Sequence, residues 1–144
     1  MATAIDATLR LSLREGSVYY FEERTLISAE PHYFIVVNSD PLKQQVLLLS
    51  VVTSKVAETK LRRVAYPETV VEISPTDFDV LSKSSIVDCN SLKSVTLTEF
   101  NERFVRKKIR YFNKDLPKAL CASLRVAIHA SPVVSAEFKA MIAP

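Results

Sequence analysis

The chain contains a single glycine, Gly16, among its 144 residues. Phosphate-binding loops and dinucleotide-binding turns need several glycines at fixed spacing, because the backbone must approach the ligand without an intervening side chain. The sequence therefore excludes both of these nucleotide sites. Gly16 immediately precedes an aromatic, strand-like run, where we expect it to form a turn.

Cysteine is also scarce. The chain has two cysteines, Cys89 and Cys121, which are far apart in sequence and lack the close pairing typical of zinc ligands. Buried, reduced thiols are the preferred interpretation, and a zinc site or a disulfide is the alternative. We expect no metal, no cofactor and a reducing compartment, which we take to be the cytoplasm.

Long hydrophobic runs are absent as well. No apolar run in the sequence approaches the roughly 20 residues that a membrane-spanning helix needs. Residues 1–13 lack the basic start and long apolar segment of a secretory signal, so we expect a soluble protein. Hydrophobic residues make up 48% of the chain and charged residues 24%, which favours one globular domain, 1–144, over a disordered chain.

Short runs of β-branched and aromatic residues predict the strands. The central pair is formed by residues 34–37 and 46–52, which are separated by a turn-like segment at 38–41. The remaining predicted strands are 17–21, 69–73, 85–89, 91–97 with a joint at Asn90, and an edge strand at 108–112.

Serine-proline pairs predict two helix starts. At 74–75 and 131–132 the serine can cap free amide groups, and proline in the first turn forfeits no hydrogen bond. These helices should end near residues 82 and 141. Further helices are predicted at 98–105 and from Pro117, where Leu120, Leu124 and Ile128 share one face.

Strands that precede helices, without alternating crossovers, predict an α+β fold. About six short strands suit a small, strongly bent barrel, with its core at 14–97 and a helical C-terminal extension at 98–144. The polar segment 54–66, which carries four basic residues, is predicted to be an exposed and mobile connection.

The ends of the central strand pair bring together chemically useful side chains. His32 precedes the first strand of the pair, and Thr53 and Ser54 end the second. A titratable group and two hydroxyls could form a site there. Structural roles remain open, because a lone loop histidine is often only hydrated and threonine is common in strands.

The order of these pieces resembles the MazF/PemK family of toxin ribonucleases, whose fold is an SH3-like β-barrel with small helices. Residues 16–21 are similar to the family's opening glycine-polar-hydrophobic-aromatic strand, and residues 32–39 are similar to its second strand. Residues 49–54 resemble the strand that ends in the active-site threonine. Residues 85–95 resemble the late strand pair, so the resemblance covers about 16–97.

The resemblance implies a chemistry. The family cleaves single-stranded RNA without metal by activating a ribose 2′-hydroxyl against its neighbouring phosphate, and an arginine and a threonine carry much of this reaction. Thr53 falls on the threonine position, and His32 falls on the arginine position. Histidine can give and take a proton, so His32, Thr53 and Ser54 are the implied catalytic residues. The resemblance further implies a homodimer and neutralisation by an antitoxin.

Positive charge is concentrated late in the chain, although the net charge is only +3. Seven cations lie within a short interval around Tyr111 and Phe112: Arg103, Arg106, Lys107, Lys108, Arg110, Lys114 and Lys118. Cations beside rings are what single-stranded RNA requires for its phosphates and bases. A solvated face with the two rings turned into the core is one alternative. A surface that receives an acidic segment of a partner, such as an antitoxin tail, is another.

Six of the chain's basic residues are predicted to contact RNA. Four lie in the late segment and two follow the central strands, where they could replace the missing arginine: Arg106, Lys107, Lys108, Arg110, Arg62 and Arg63. Two other functions stay open. The chain could be a catalytically inactive barrel that binds RNA or a protein, or an interaction domain whose terminal helices dock on a partner.

Overall fold

The computed structural model describes residues 4–22 and 31–144. The described residues form one antiparallel sheet of six strands in the order β4-β5-β3-β2-β1-β6. The strands are β1 (Val18–Phe21), β2 (His32–Val36), β3 (Val46–Thr53), β4 (Val70–Ile73), β5 (Ser85–Thr96) and β6 (Arg110–Phe112). The helices are α1 (Ala7–Ser12), α2 (Pro41–Gln44), α3 (Val56–Arg62), α4 (Leu97–Val105), α5 (Lys118–Ala130) and α6 (Ala136–Ala140), with a 3-10 turn at Pro67–Thr69.

The predicted α+β class is therefore confirmed. Strands β4 and β6 lie at the two edges, and the register of the described residues shows no pairing between them. Closure into an SH3-like barrel stays a prediction. No helix within the described ranges is long and apolar enough to cross a bilayer.

Helices cover both faces of the sheet, because alternate side chains of each strand point to opposite sides. We call the side packed by α5 and the C-terminal residues the α5 face. Its buried residues include Val18, Ile35, Leu48, Val87, Leu124, Ile128 and Ile142. The opposite side, packed by α1 and α4, is the α4 face, and its buried residues include Leu9, Tyr19, Phe34, Leu47, Leu49 and Phe100.

Asn38 organises the connection between β2 and β3. Its side-chain amide donates to the Val46 carbonyl oxygen at 2.8 Å and to the Gln44 side-chain oxygen at 2.9 Å. Its side-chain oxygen accepts from the Leu48 amide at 2.9 Å. Asn38 is fully buried, so its bonds replace water with strand backbone. The chain bends at residues 38–39 as predicted, but Pro41 begins α2, a short helix that was not predicted. The bend and α2 together connect β2 to β3.

Strand β5 is continuous, in place of the two strands predicted on either side of Asn90. Its pairing with β3 shifts register between Ser50, opposite Leu92, and Val52, opposite Val87. The residues in this irregularity include Asp88 and Asn90, which are both buried. The Asn90 side chain donates to the Asp88 carboxylate at 2.8 Å and so keeps the bulge internally bonded.

The predicted helix at 74–82 is wrong, because the chain forms turns there. The Ser74 hydroxyl does accept from the Asp77 amide at 3.2 Å, and one helical bond joins the Phe78 amide to the Ser74 carbonyl at 3.0 Å. The turn that follows buries Phe78 and Leu81 in the α5 face. Tertiary burial therefore overrides the local helix start.

The last helix begins at Ala136 and not at the predicted serine-proline pair. The Ser131 hydroxyl accepts from the Val133 and Val134 amides at 3.1 and 3.2 Å, as predicted for a cap, but no helix begins there. The same hydroxyl donates to the Asn90 side-chain oxygen at 2.6 Å, which ties the end of α5 to the bulge of β5. Ser135 supplies the cap by accepting from the Phe138 amide at 3.2 Å. The predicted helix from Pro117 is confirmed as α5, with Leu124 and Ile128 buried.

The two cysteines are free and buried, as predicted. Both contribute to the α5 face, so they act as small apolar side chains. Burial raises the pKa of the Cys89 thiol to about 12 and that of the Cys121 thiol to about 11. The reactive thiolate is therefore scarce at neutral pH for either residue.

The lone glycine yields the first prediction. Gly16 has a φ of +92° in the turn before β1, and a Cβ there would lie 3.0 Å from Cys121 Sγ and 3.5 Å from the Leu116 carbonyl oxygen. We expect Gly16→Ala to lower the free energy of unfolding by roughly 1–3 kcal/mol, through backbone strain and this contact. Denaturant unfolding measures the loss.

The cost of Gly16→Ala should be smaller when Cys121 is also alanine, since the crowding sulfur is then absent. Equal stability of the wild type and Gly16→Ala would contradict the geometry of this turn.

Candidate active site

His32 begins β2 and Thr53 ends β3, the neighbouring strand. Tyr33 pairs with Val52 and Phe34 pairs with Val51, and the same register continued by one residue would set His32 opposite Thr53. Cβ atoms of directly opposite residues are about 4.5–5.5 Å apart in antiparallel sheets. Strand alternation puts both side chains on the α4 face at the ends of their strands, so we expect these two predicted site residues to lie close together.

His32 is half-buried, and one of its ring nitrogens makes no hydrogen bond within the described residues. On its other side it pairs with Phe21 of β1. The Nδ1 atom of His32 is buried and has no hydrogen-bond partner among residues 4–22 and 31–144. An unpaired buried nitrogen costs about 1–3 kcal/mol, and such groups are uncommon in folded proteins.

Thr53 and Ser54 form the turn that leads from β3 into α3. Thr53 Oγ1 accepts from the Lys55 amide at 3.2 Å, and the Ser54 carbonyl accepts from the Val56 amide at 2.9 Å. Thr53 is half-buried and Ser54 is exposed. Thr53 thus has a structural bond, and its hydroxyl proton remains able to donate to an anion.

The segment after Ser54 corrects a prediction. Residues 54–66 were expected to form a mobile connection, but residues 56–62 form α3, with Thr59 only 1% exposed. The Thr59 hydroxyl donates to the Lys55 carbonyl at 2.8 Å. The prediction was wrong because the charge of this segment suggested full exposure, whereas Arg62 and Arg63 lie against the buried Asp88 carboxylate.

The guanidinium groups of Arg62 and Arg63 both lie near the Asp88 carboxylate. Arg63 Nε lies 3.0 Å from Asp88 Oδ2, and an Arg62 terminal nitrogen lies 3.6 Å from the same oxygen. The Asp88 side chain is 5% exposed, whereas the side chains of Arg63 and Arg62 are 22% and 54% exposed. Arg63 is therefore a structural counter-ion, and Arg62 keeps free surface for another anion.

A groove of about 450 Å³ opens next to the histidine. One wall contains the exposed cations Lys107, Lys108 and Arg110. The other wall contains Tyr20, Phe21, Glu22 and Pro31, of which Phe21 is the strand partner of His32 and Pro31 is its chain neighbour. The basic segment therefore lies beside the strand partner and the chain neighbour of His32, although His32, Thr53 and Ser54 do not themselves line the groove.

The turn that follows α4 carries Lys107 and Lys108 to the groove. Lys107 adopts a φ of +59°, and the Lys108 amide donates to the Arg103 carbonyl at 3.1 Å. This left-handed turn sends the chain into edge strand β6, which pairs with β1. Arg106 is exposed but does not line the groove.

Other predicted members of the basic segment are already paired. Arg103 bonds to Glu99 at 2.9 Å within α4, and Lys114 bonds to Asp79. Sequence inspection missed the groove residues Tyr20, Phe21 and Glu22 because their role depends on the long-range pairing of β1 with β6. The only sequence signal was the aromatic run at 19–21.

The fold matches a solved structure described as an endoribonuclease in complex with its cognate antitoxin, from a mycobacterial species. The TM-score is 0.52 at 13% sequence identity, and the match covers 81% of this chain and 90% of that chain. No protein-family model matches the sequence, and no curated protein matches it. The predicted resemblance to toxin ribonucleases is confirmed at the level of the fold.

The unequal burial of the two arginines yields the second prediction. Arg63→Ala should lower the free energy of unfolding by about 2 kcal/mol, because the buried Asp88 carboxylate loses its nearest cation. Arg62→Ala is the matched control and should cost under about 0.5 kcal/mol, since its side chain is half exposed. Denaturant unfolding of both variants makes the measurement, and equal losses would contradict the assignment of Arg63 as the structural partner.

Proposed function

We propose that this chain, which shares the fold of a toxin endoribonuclease, is itself an endoribonuclease that cleaves single-stranded RNA. The juxtaposition of His32 and Thr53 at the ends of β2 and β3 carries the proposal. The adjoining basic groove supports it, because three exposed cations there can bind a phosphate backbone.

The proposed reaction needs no metal. His32 takes the proton from a ribose 2′-hydroxyl, and the freed oxygen forms a bond to the adjacent phosphorus while the bond from phosphorus to the 5′-oxygen breaks. The leaving 5′-oxygen gains a proton from the imidazolium or from water. The products are a 2′,3′-cyclic phosphate and a 5′-hydroxyl.

The hydroxyl groups stabilise charge in this scheme. Thr53 donates its hydroxyl proton to a non-bridging phosphate oxygen, or positions the 2′-hydroxyl, while its oxygen keeps the bond from the Lys55 amide. Ser54, which is exposed in the same turn, supplies a second donor. Histidine stands at the position of the arginine in the family pattern. A permanently charged guanidinium is therefore replaced by an imidazole, which can both accept and release a proton.

The groove cations hold the substrate. Lys107, Lys108 and Arg110 contact phosphates next to the cleaved bond, and the exposed Arg106 and Arg62 extend the path. Arg63, which was also predicted to contact RNA, contributes by fixing α3 through its bond to Asp88.

The proposed biological setting is a toxin–antitoxin pair. The structural neighbour is described in complex with its cognate antitoxin, and by analogy we propose that a protein antitoxin neutralises this chain in the cytoplasm. The family resemblance also suggests a homodimer, which light scattering of the purified protein would measure.

A second candidate function is RNA binding without cleavage. The groove has cations and aromatic side chains that do not depend on the chemistry of His32, and the family's arginine is absent. In that case RNA would bind with a strong salt dependence and remain intact.

Cleavage assays separate the two functions and give the third prediction. Incubation of the protein with a long single-stranded RNA in EDTA should give discrete cuts. His32→Ala should slow them by about 10²- to 10⁴-fold, because the proton acceptor is lost. His129→Ala is the matched control and should cleave normally, since His129 bonds to the Ala143 carbonyl on the C-terminal tail.

Thr53→Val should also slow cleavage, whereas Thr53→Ser, which keeps the hydroxyl and its bond to the Lys55 amide, should retain most activity. Cleavage that survives His32→Ala would remove the proposed site. Intact RNA with the wild type would favour the binding function.

Salt dependence yields the fourth prediction. For single-stranded RNA the slope of log affinity against log salt changes by about 0.7 for each phosphate contact. Lys107→Ala and Lys108→Ala should each reduce the slope by about that amount, as measured by fluorescence anisotropy. Lys83→Ala, an exposed lysine outside the groove, should leave it unchanged.

A further inference from the structure

Three half-buried aromatic rings form a patch beside the basic groove. Tyr20, Tyr33 and Phe112 come from three neighbouring strands, β1, β2 and β6. Their ring centroids lie 4.8 Å apart for Tyr20 and Tyr33, 5.3 Å for Tyr33 and Phe112, and 6.3 Å for Tyr20 and Phe112. We call these residues the aromatic patch.

The sheet register explains why the rings meet. Tyr20 pairs with Tyr33 on one side and with Arg110 on the other, and Val18 pairs with Phe112. All of these side chains lie on the α5 face because they alternate with residues of the α4 face. The neighbouring ring, Tyr111, lies on the α4 face, where it packs 5.5 Å from Tyr19.

A cation completes the patch. The guanidinium carbon of Arg110 lies 4.9 Å from the centroid of the Phe112 ring, and the Arg110 side chain is exposed. Arg110 and Tyr20 also line the groove that holds Lys107 and Lys108. The aromatic patch is therefore continuous with a surface that carries three positive charges and one negative charge, from Glu22.

From this arrangement we infer that the aromatic patch binds a nucleobase of a single-stranded RNA whose phosphates lie in the basic groove. The inference rests on the proposed function for its substrate class, and it adds a base subsite on the face of the sheet opposite to His32 and Thr53. Half-buried rings and a planar guanidinium offer stacking surfaces to any base, while the lysines neutralise the flanking phosphates.

This geometry sets what the subsite recognises. Stacking depends on the presence of a flat base and little on its identity, so the patch contributes affinity and register and leaves base choice to other contacts. An RNA that follows the groove would pass the β1–β6 edge, with one nucleotide on the aromatic patch and the cleaved bond near Pro31 and His32.

A single tryptophan can report the stacking. The chain has no tryptophan, so Phe112→Trp introduces one reporter into the aromatic patch. Tyr111→Trp is the matched control, because it lies next in sequence and on the opposite face. Both variants are titrated with a 2′-O-methyl oligonucleotide, which cannot be cleaved, and with an abasic strand of the same length.

We expect the base-bearing strand to quench the fluorescence of Phe112→Trp and to leave Tyr111→Trp nearly unchanged. The abasic strand should bind through the cations without quenching Phe112→Trp. Equal quenching by both strands, or equal quenching of both reporters, would overturn the inference.

Affinity gives a second readout that does not depend on the reporter. Tyr20→Leu and Tyr33→Leu keep an apolar side chain. Each should lower the affinity for the base-bearing strand about tenfold and leave the affinity for the abasic strand unchanged. Tyr66→Leu, at a half-exposed tyrosine beyond α3, is the control and should bind both strands like the wild type. An equal loss for both strands would indicate a purely structural role for the rings and would overturn the inference.

The outcome is separable from that of the proposed function. A protein that cleaves RNA without quenching of Phe112→Trp would overturn the subsite alone. A protein that shows base-dependent quenching without any cleavage would overturn the proposed endoribonuclease and keep the subsite.

Discussion

The register between β2 and β3 is the constraint on which the candidate site depends, and the side chain of Asn38 holds it. The buried Asn38 side chain donates to the Val46 carbonyl and accepts from the Leu48 amide. It therefore supplies hydrogen bonds to β3 just beyond the end of β2. A shift of one residue would exchange the two faces of β2, and a shift of two would separate His32 from Thr53. The same register sets Phe34 and Ile35 in their separate clusters, so core packing and site geometry share one cause.

The sequence predicts the strands well where local patterns agree with burial. The runs that become β1, β2, β3 and β4 are rich in β-branched and aromatic residues, and the short connection at 38–41 makes the pairing of β2 with β3 the simplest arrangement. The proximity of His32 and Thr53 follows from that pairing. Their chemical roles came from the family resemblance and not from the pattern itself.

Long-range partners explain what the sequence did not predict. Arg63 looks like a free surface cation until Asp88, which is distant in the chain, is seen as its buried partner. Ser131 does cap two backbone amides, but its hydroxyl also bonds to the distant Asn90, and no helix begins at this serine. The basic groove depends on β6 crossing back to β1, so Tyr20 and Glu22 could not be assigned to it from their own surroundings. In each case a partner far along the chain decides between two locally reasonable roles.

The most direct test of the account observes His32 itself. The chain has two histidines, so an NMR spectrum of the imidazole groups contains two ring systems, with His129 as an internal reference. Addition of a 2′-O-methyl oligonucleotide should shift the His32 ring signals and leave those of His129 in place, since His129 bonds to the C-terminal tail. Unchanged His32 signals while the oligonucleotide is bound would contradict the placement of the RNA site at the ends of β2 and β3.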